Sequence, residues 1–95
     1  MQDEASAFAG GCGPVAEYLD HLAVERGLSS NSIEAYRRDL GTYVAFLDRR
    51  DVELRDATRA DIEAFAMARR LGGYAVSSVE RSLSAVKGLH RVMLR

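Results

Sequence analysis

The side chains that could do chemistry in this sequence are cationic and hydroxylic, and they come in clusters. Ser77, Ser78 and Arg81 fall within one helical turn, and Lys87 and Arg91 follow one turn apart. Two serines at a helix start, beside N–H groups without intrahelical partners, form a competent phosphate site. Arg81, one turn on, could reach a phosphate or a base edge. Lys87 and Arg91 suit phosphate contact that is salt-dependent and indifferent to base sequence, or simply make a solvated face. Ser77 has a second reading. Ser77-Ser78-Val79-Glu80 spells a capping box, with Glu80 turned back on its own helix. Cap and contact are compatible roles for one hydroxyl. Arg37 and Arg38 flank an apolar stripe further upstream. Arg38 stands four residues after Glu34, so a surface ion pair is its plainer role, and Arg37 could bond Asp39.

Bond-making chemistry finds no support in these residue types. Cys12 is the only cysteine, which excludes an internal disulfide, and it sits among glycines. His21 and His90 are far apart, so no metal-ligand spacing exists. His90 falls in an apolar stripe and reads as a core or boundary residue. Tyr18, Tyr36 and Tyr43 fall on core stripes, without the basic cluster that a tyrosine nucleophile needs. No cofactor, no metal and no catalysis by this chain are expected.

Helices must position the clusters. Pro14 suits a first helical turn, and Val15, Tyr18, Leu19 and Leu22 make one apolar stripe up to a stop at Gly27. A second helix runs from about Ser30 to Arg49, with Ser29 or Ser30 as its cap. Ile33, Tyr36, Leu40, Tyr43, Val44 and Leu47 recur on it at spacings of three and four. A connector leads to a third helix, where Thr58 caps and Asp61 reaches back. Ile62, Phe65 and Ala66 face inward, and Gly72-Gly73 end it. A fourth helix covers about 76–94, with Val79, Leu83, Val86, Leu89, His90 and Met93 inside. No segment alternates with period two for long enough to make a sheet. The expectation is an all-α, four-helix bundle-like domain over residues 14–95, behind a flexible tail over residues 1–13.

Composition agrees. Ninety-five residues suffice for one small domain, and 47% hydrophobic with 28% charged residues excludes a wholly disordered chain. The net charge is −1, yet residues 1–30 sum to −4 and residues 31–95 to +3. The last twenty residues alone carry +3, so any attraction to phosphate is local. No signal peptide or membrane span is legible, and a cytoplasmic setting is expected. The chain stops at Arg95, directly after an apolar helix, which predicts a cut inside a longer protein.

Two segments also carry a family pattern. Leu28-Ser-Ser-Asn-Ser-Ile-Glu-Ala-Tyr-Arg-Arg-Asp-Leu40 resembles the S-x-N-T-x-x-A-Y-x-R-D-L signature in the second helix of Xer-type recombinases. Val79-Glu-Arg-Ser-Leu-Ser-Ala-Val-Lys-Gly-Leu89 is similar to their fourth-helix run, R-x-L-S-A-[LV]-[RK]-x-[FL]. Thr58-Arg-Ala-Asp-Ile lies between them in register. The resemblance covers residues 15–95 and points to the SAM-like core-binding domain of tyrosine recombinases of the Xer and phage-integrase type.

That resemblance implies a fold, partners and contact residues. The domain would close on one face of double-stranded DNA while a catalytic domain, absent from this chain, closes on the other. Its second and fourth helices would meet the major groove and flanking phosphates. Matching positions puts Arg38 on the DNA-facing side with Asn31 and Ser32, and Arg37, Ser77, Ser78, Arg81, Lys87 and Arg91 complete the expected DNA contacts. The first helix would contribute to contacts among protomers in a recombining tetramer, with the isolated domain monomeric. Integration, recombination and chromosome-dimer resolution all use such a domain. Ser32 replaces the usual Thr, and Leu89 an aromatic. Ala75 replaces a capping residue, which would move the start of the fourth helix to Ser77. A competing class is a helical protein-interaction module that uses the acidic first helix, in which case Ser77 and Ser78 are caps and nothing more.

Overall fold

The computed structural model describes residues 13–94. The tail expected over residues 1–13, with Cys12, lies outside the described residues except for Gly13, and so does Arg95. Helices α1 (Pro14–Val24), α2 (Ser30–Arg49), α3 (Arg59–Leu71) and α4 (Val76–Met93) follow one another, with a 3₁₀ turn at Leu54–Asp56. There is no strand among the described residues. The protein is all-α, as the hydrophobic period predicts.

Each helix starts and stops for a local reason. Pro14 opens α1 after Gly13. Gly27, at φ 63, turns the chain away, and the Leu28 N–H returns to the Leu22 carbonyl at 3.2 Å. Ser29 caps α2 by accepting the Ser32 N–H. Asp51 ends that helix at φ 61, a left-handed conformation that a short polar side chain tolerates. Its neighbour Val52 donates its N–H to the Leu47 carbonyl at 3.0 Å. Thr58 and Asp61 form the expected capping box at α3.

Helix α4 is the hub, packed on α1, α2 and α3. The centre is Leu40, Tyr43, Leu47, Phe65, Val86 and Leu89, each 1% exposed or less. The Tyr43 and Phe65 rings meet edge to face at 5.1 Å, which adds about 0.5–1.5 kcal/mol beyond the burial of their area. The Tyr43 hydroxyl and His90 Nε2 share a 2.8 Å hydrogen bond across the α2–α4 contact. Burial pushes the Tyr43 hydroxyl up to about 12 and His90 below its ordinary value. Helices α1 and α4 touch where Gly88 meets Tyr18. A Cβ at Gly88 would stand 2.7 Å from the Tyr18 Cζ, so only glycine fits. The 12.8 Å radius of gyration is that of one packed unit of this size.

Two readings of α4 need correction. The helix begins at Val76, with Ala75 as N-cap and no side-chain cap bond. Ser77 therefore sits inside the first turn and is exposed, and the Ser77–Glu80 box is not formed. Ala75 is already extended at ψ 151, and the Val79 N–H reaches the Ala75 carbonyl at 3.0 Å. The helix thus begins two residues earlier than a Ser77 cap would need. The buried stripe is also rotated. Ser82, Ala85 and Gly88 are buried, whereas Leu83 and Met93 are only partly so. With three neighbours to pack on, α4 turns its small residues toward close helix–helix contacts.

Candidate nucleic-acid interface

Asp39 organises the polar face. It lies on the inner side of α2 and is 2% exposed. Arg81 of α4 binds it side-on: Nε donates to Oδ2 at 2.7 Å and Nη2 donates to Oδ1 at 3.1 Å. Arg69 of α3 brings its Nη2 to 3.8 Å from Oδ1. One carboxylate thus ties three helices. The hydrogen bond from Arg81 to Asp39 pushes the Arg81 pKa above its ordinary value, so the guanidinium is permanently charged. Arg69 is 7% exposed, with its guanidinium 4.1 Å from the Tyr74 ring centroid and 5.5 Å from that of Phe65. That geometry is a cation–π arrangement, in which the negative ring faces offset part of the cost of burying the cation.

Around this anchor lies a shallow depression of about 260 Å³, lined by Arg38, Thr42, Tyr74, Ser78 and Arg81. The fold therefore brings together Arg38, Ser78 and Arg81, which are up to 43 positions apart in the chain. Arg38 is exposed, Ser78 is half-buried, and Arg81 keeps 39% of its side chain in solvent. The Thr42 hydroxyl donates to the Arg38 carbonyl at 3.0 Å, so its proton is already engaged.

The other assigned residues sit elsewhere. Lys87 and Arg91 border a second concavity with His21, Arg26, Tyr36 and Ser84. Three cations from α4 and from the turn after α1 converge there. Ser77, Arg81, Ser84 and Arg91 stand at helical offsets of four, three and seven, so one side of α4 connects the two concavities. Ser32 shares a 3.2 Å hydrogen bond with the Ser29 hydroxyl at the start of α2, and Asn31 is exposed beside it. Arg37, not Arg38, pairs with Glu34, at 3.5 Å. Arg37 does not bond Asp39, whose carboxylate is taken by Arg81 and Arg69. Arg38 is consequently the arginine of that pair that faces the depression.

Sequence reasoning missed Asp39, Arg69, Tyr74 and Arg26. Asp39 carried a faint signal, being an acid directly before Leu40 on the apolar side of α2. Arg69 carried none, because a terminal helix arginine is ordinarily solvated. A larger groove among the described residues runs between α3 and α4, lined by Ile62, Ala66, Leu83 and Met93, and meets the second concavity at Lys87 and Arg91. No group of three or more potential metal ligands occurs among the described residues, and no described helix is long and apolar enough to cross a membrane.

Residues 15–95 match the family described as "Phage integrase, N-terminal SAM-like domain", and the chain belongs to that family. Tyrosine recombinase XerD of Mycobacterium tuberculosis is 39% identical over 82 residues, which cover 78% of this chain and 26% of that protein. Tyrosine recombinase XerC of Xylella fastidiosa is 35% identical over 82 residues, 85% of this chain and 28% of that protein. XerD of Yersinia pestis is 35% identical over 81 residues. The chain thus spans about a quarter of the length of these relatives. No solved structure matches it significantly.

Proposed function

We propose that this chain is the DNA-gripping, non-catalytic domain of a tyrosine recombinase acting in DNA recombination, with the bond-breaking residues in a domain that this chain does not include. The observation that carries the reading is the depression where Arg38, Ser78 and Arg81 meet. Two cationic side chains and a hydroxyl on one rim match the needs of a phosphate. Lys87, Arg91 and Arg26 add positive charge at the neighbouring concavity. Asn31 and Ser32, at the start of α2, complete the proposed contact set with Arg37 and Ser77. The partner is double-stranded DNA. Other protomers of a full-length recombinase join through the rest of the protein and α1.

Binding by the isolated domain should be weak and steeply salt-dependent, since the net charge is −1 and much of the grip is absent. Titration of labelled protein with duplex DNA at falling salt, followed by amide shifts, tests this. Shifts confined to residues 31–38 and 77–91 are expected. Absence of shifts at low salt overturns the reading. Shifts confined to residues 15–26 also count against it and favour an interaction module that uses the acidic α1.

A further inference from the structure

We propose that Asp39 is a positioning residue for DNA recognition: it locks the Arg81 guanidinium side-on, so that its free fork is presented to one fixed phosphate or base edge. The proposal rests on the DNA-binding reading above and adds a residue that the reading does not include.

The geometry separates the two edges of one guanidinium. Nε and one Nη2 proton are consumed by Asp39 at 2.7 and 3.1 Å. The two Nη1 protons and the second Nη2 proton remain, and one from each nitrogen forms the end-on fork that pairs bidentately with a phosphate or with the O6 and N7 of guanine. A free arginine must freeze several rotors on binding. Arg81 has already frozen them against a carboxylate that is 2% exposed and cannot itself swing out. Asp39 is held in turn by Arg69, whose guanidinium is stacked over Tyr74. The chain of support runs from α3 through α2 to α4. It ends at a side chain 39% exposed on the depression shared with Arg38 and Ser78.

An acid beside a DNA-binding face ordinarily repels phosphate, and that gives the test its sign. Bulk electrostatics predicts that Asp39→Asn tightens DNA binding, because one negative charge disappears. Positioning predicts that it weakens binding. The probe is a fluorescein-labelled pool of random-sequence duplexes, titrated by anisotropy at several salt concentrations, with amide spectra as the control for folding. Arg81→Ala should lose about tenfold in affinity and reduce the salt slope by about one. Asp39→Asn should lose affinity in the same direction, reduce the slope similarly, and add nothing in the Arg81→Ala background. Unchanged or tighter binding by folded Asp39→Asn overturns the proposal and leaves the DNA-binding reading standing. Wild-type protein that fails to bind at low salt overturns both. If Asp39→Asn alone unfolds, Asp39→Asn with Arg69→Met removes the buried cation that Asn leaves unpaired. Compared with Arg69→Met alone, that double variant must show the same loss, and equal affinity overturns the proposal.

Discussion

The first turns of α3 and α4 carry the same grammar and use it differently. Thr58-x-x-Asp61 and Ser77-x-x-Glu80 both spell a capping box. At α3 the box closes: Thr58 Oγ1 accepts the Asp61 N–H at 3.3 Å, and Asp61 Oδ2 accepts the Thr58 N–H at 2.9 Å. Arg50 at the end of α2 seals it from outside at 3.3 Å from Asp61. At α4 the helix starts above the box and no side chain caps it. Its first turns are anchored instead through Arg81 to Asp39. A helix end that satisfies itself is finished structurally. One held from its second turn by an ion pair keeps its hydroxyls and early N–H groups available to a ligand.

The comparison can be broken most strongly at Asp39. Asp39→Ala removes the anchor of α4 and leaves Arg69 buried and unpaired, which should cost about 3–5 kcal/mol in denaturant unfolding. A cost under about 1 kcal/mol would mean that packing alone holds α4. Thr58→Ala opens the α3 box and should cost about 1 kcal/mol, with amide protection lost in the first turn of α3.

Acid distinguishes the regions by pH window. The backbone N–H of Thr58 holds the Asp61 carboxyl below its ordinary 3.8. Its stabilising contribution is present above 3.8 and is lost as pH falls through the lower folded value. At the far end of α4, burial lowers His90 from 6.5. The unfolded chain takes up that proton first, so stability should begin to fall below 6.5, with His90→Gln flattening the decline. A thermal melting series from neutral pH downward should show two separate steps. A single step near 3.8 would mean that the Tyr43–His90 contact adds no pH dependence. The smallest effect belongs to Ser77→Ala, within about 0.5 kcal/mol of wild type, because no cap bond is lost. A Ser77→Ala cost equal to that of Thr58→Ala would restore the capping box that the structure lacks.

Local signals determined the helices. The period of Ile33, Tyr36, Leu40, Tyr43 and Leu47 defines α2 without any neighbour, and Thr58 with Asp61 defines the start of α3, because both depend on residues within a few positions. The clusters around Arg38 and Arg81 were visible by type and by family pattern. Tertiary structure alone decided which of these charges is spent internally. Asp39 and Arg81 are 42 positions apart, and no helical period links α2, α3 and α4 into one ion triad. The same holds for Ser77. Its box is correct in sequence, but α4 begins at Val76, ahead of it, and packing on three partners decides which face the helix buries. Local propensity chooses among a few conformations separated by about 1 kcal/mol. Leaving a buried charge without its partner costs several times that, so where the two meet, the tertiary contact prevails.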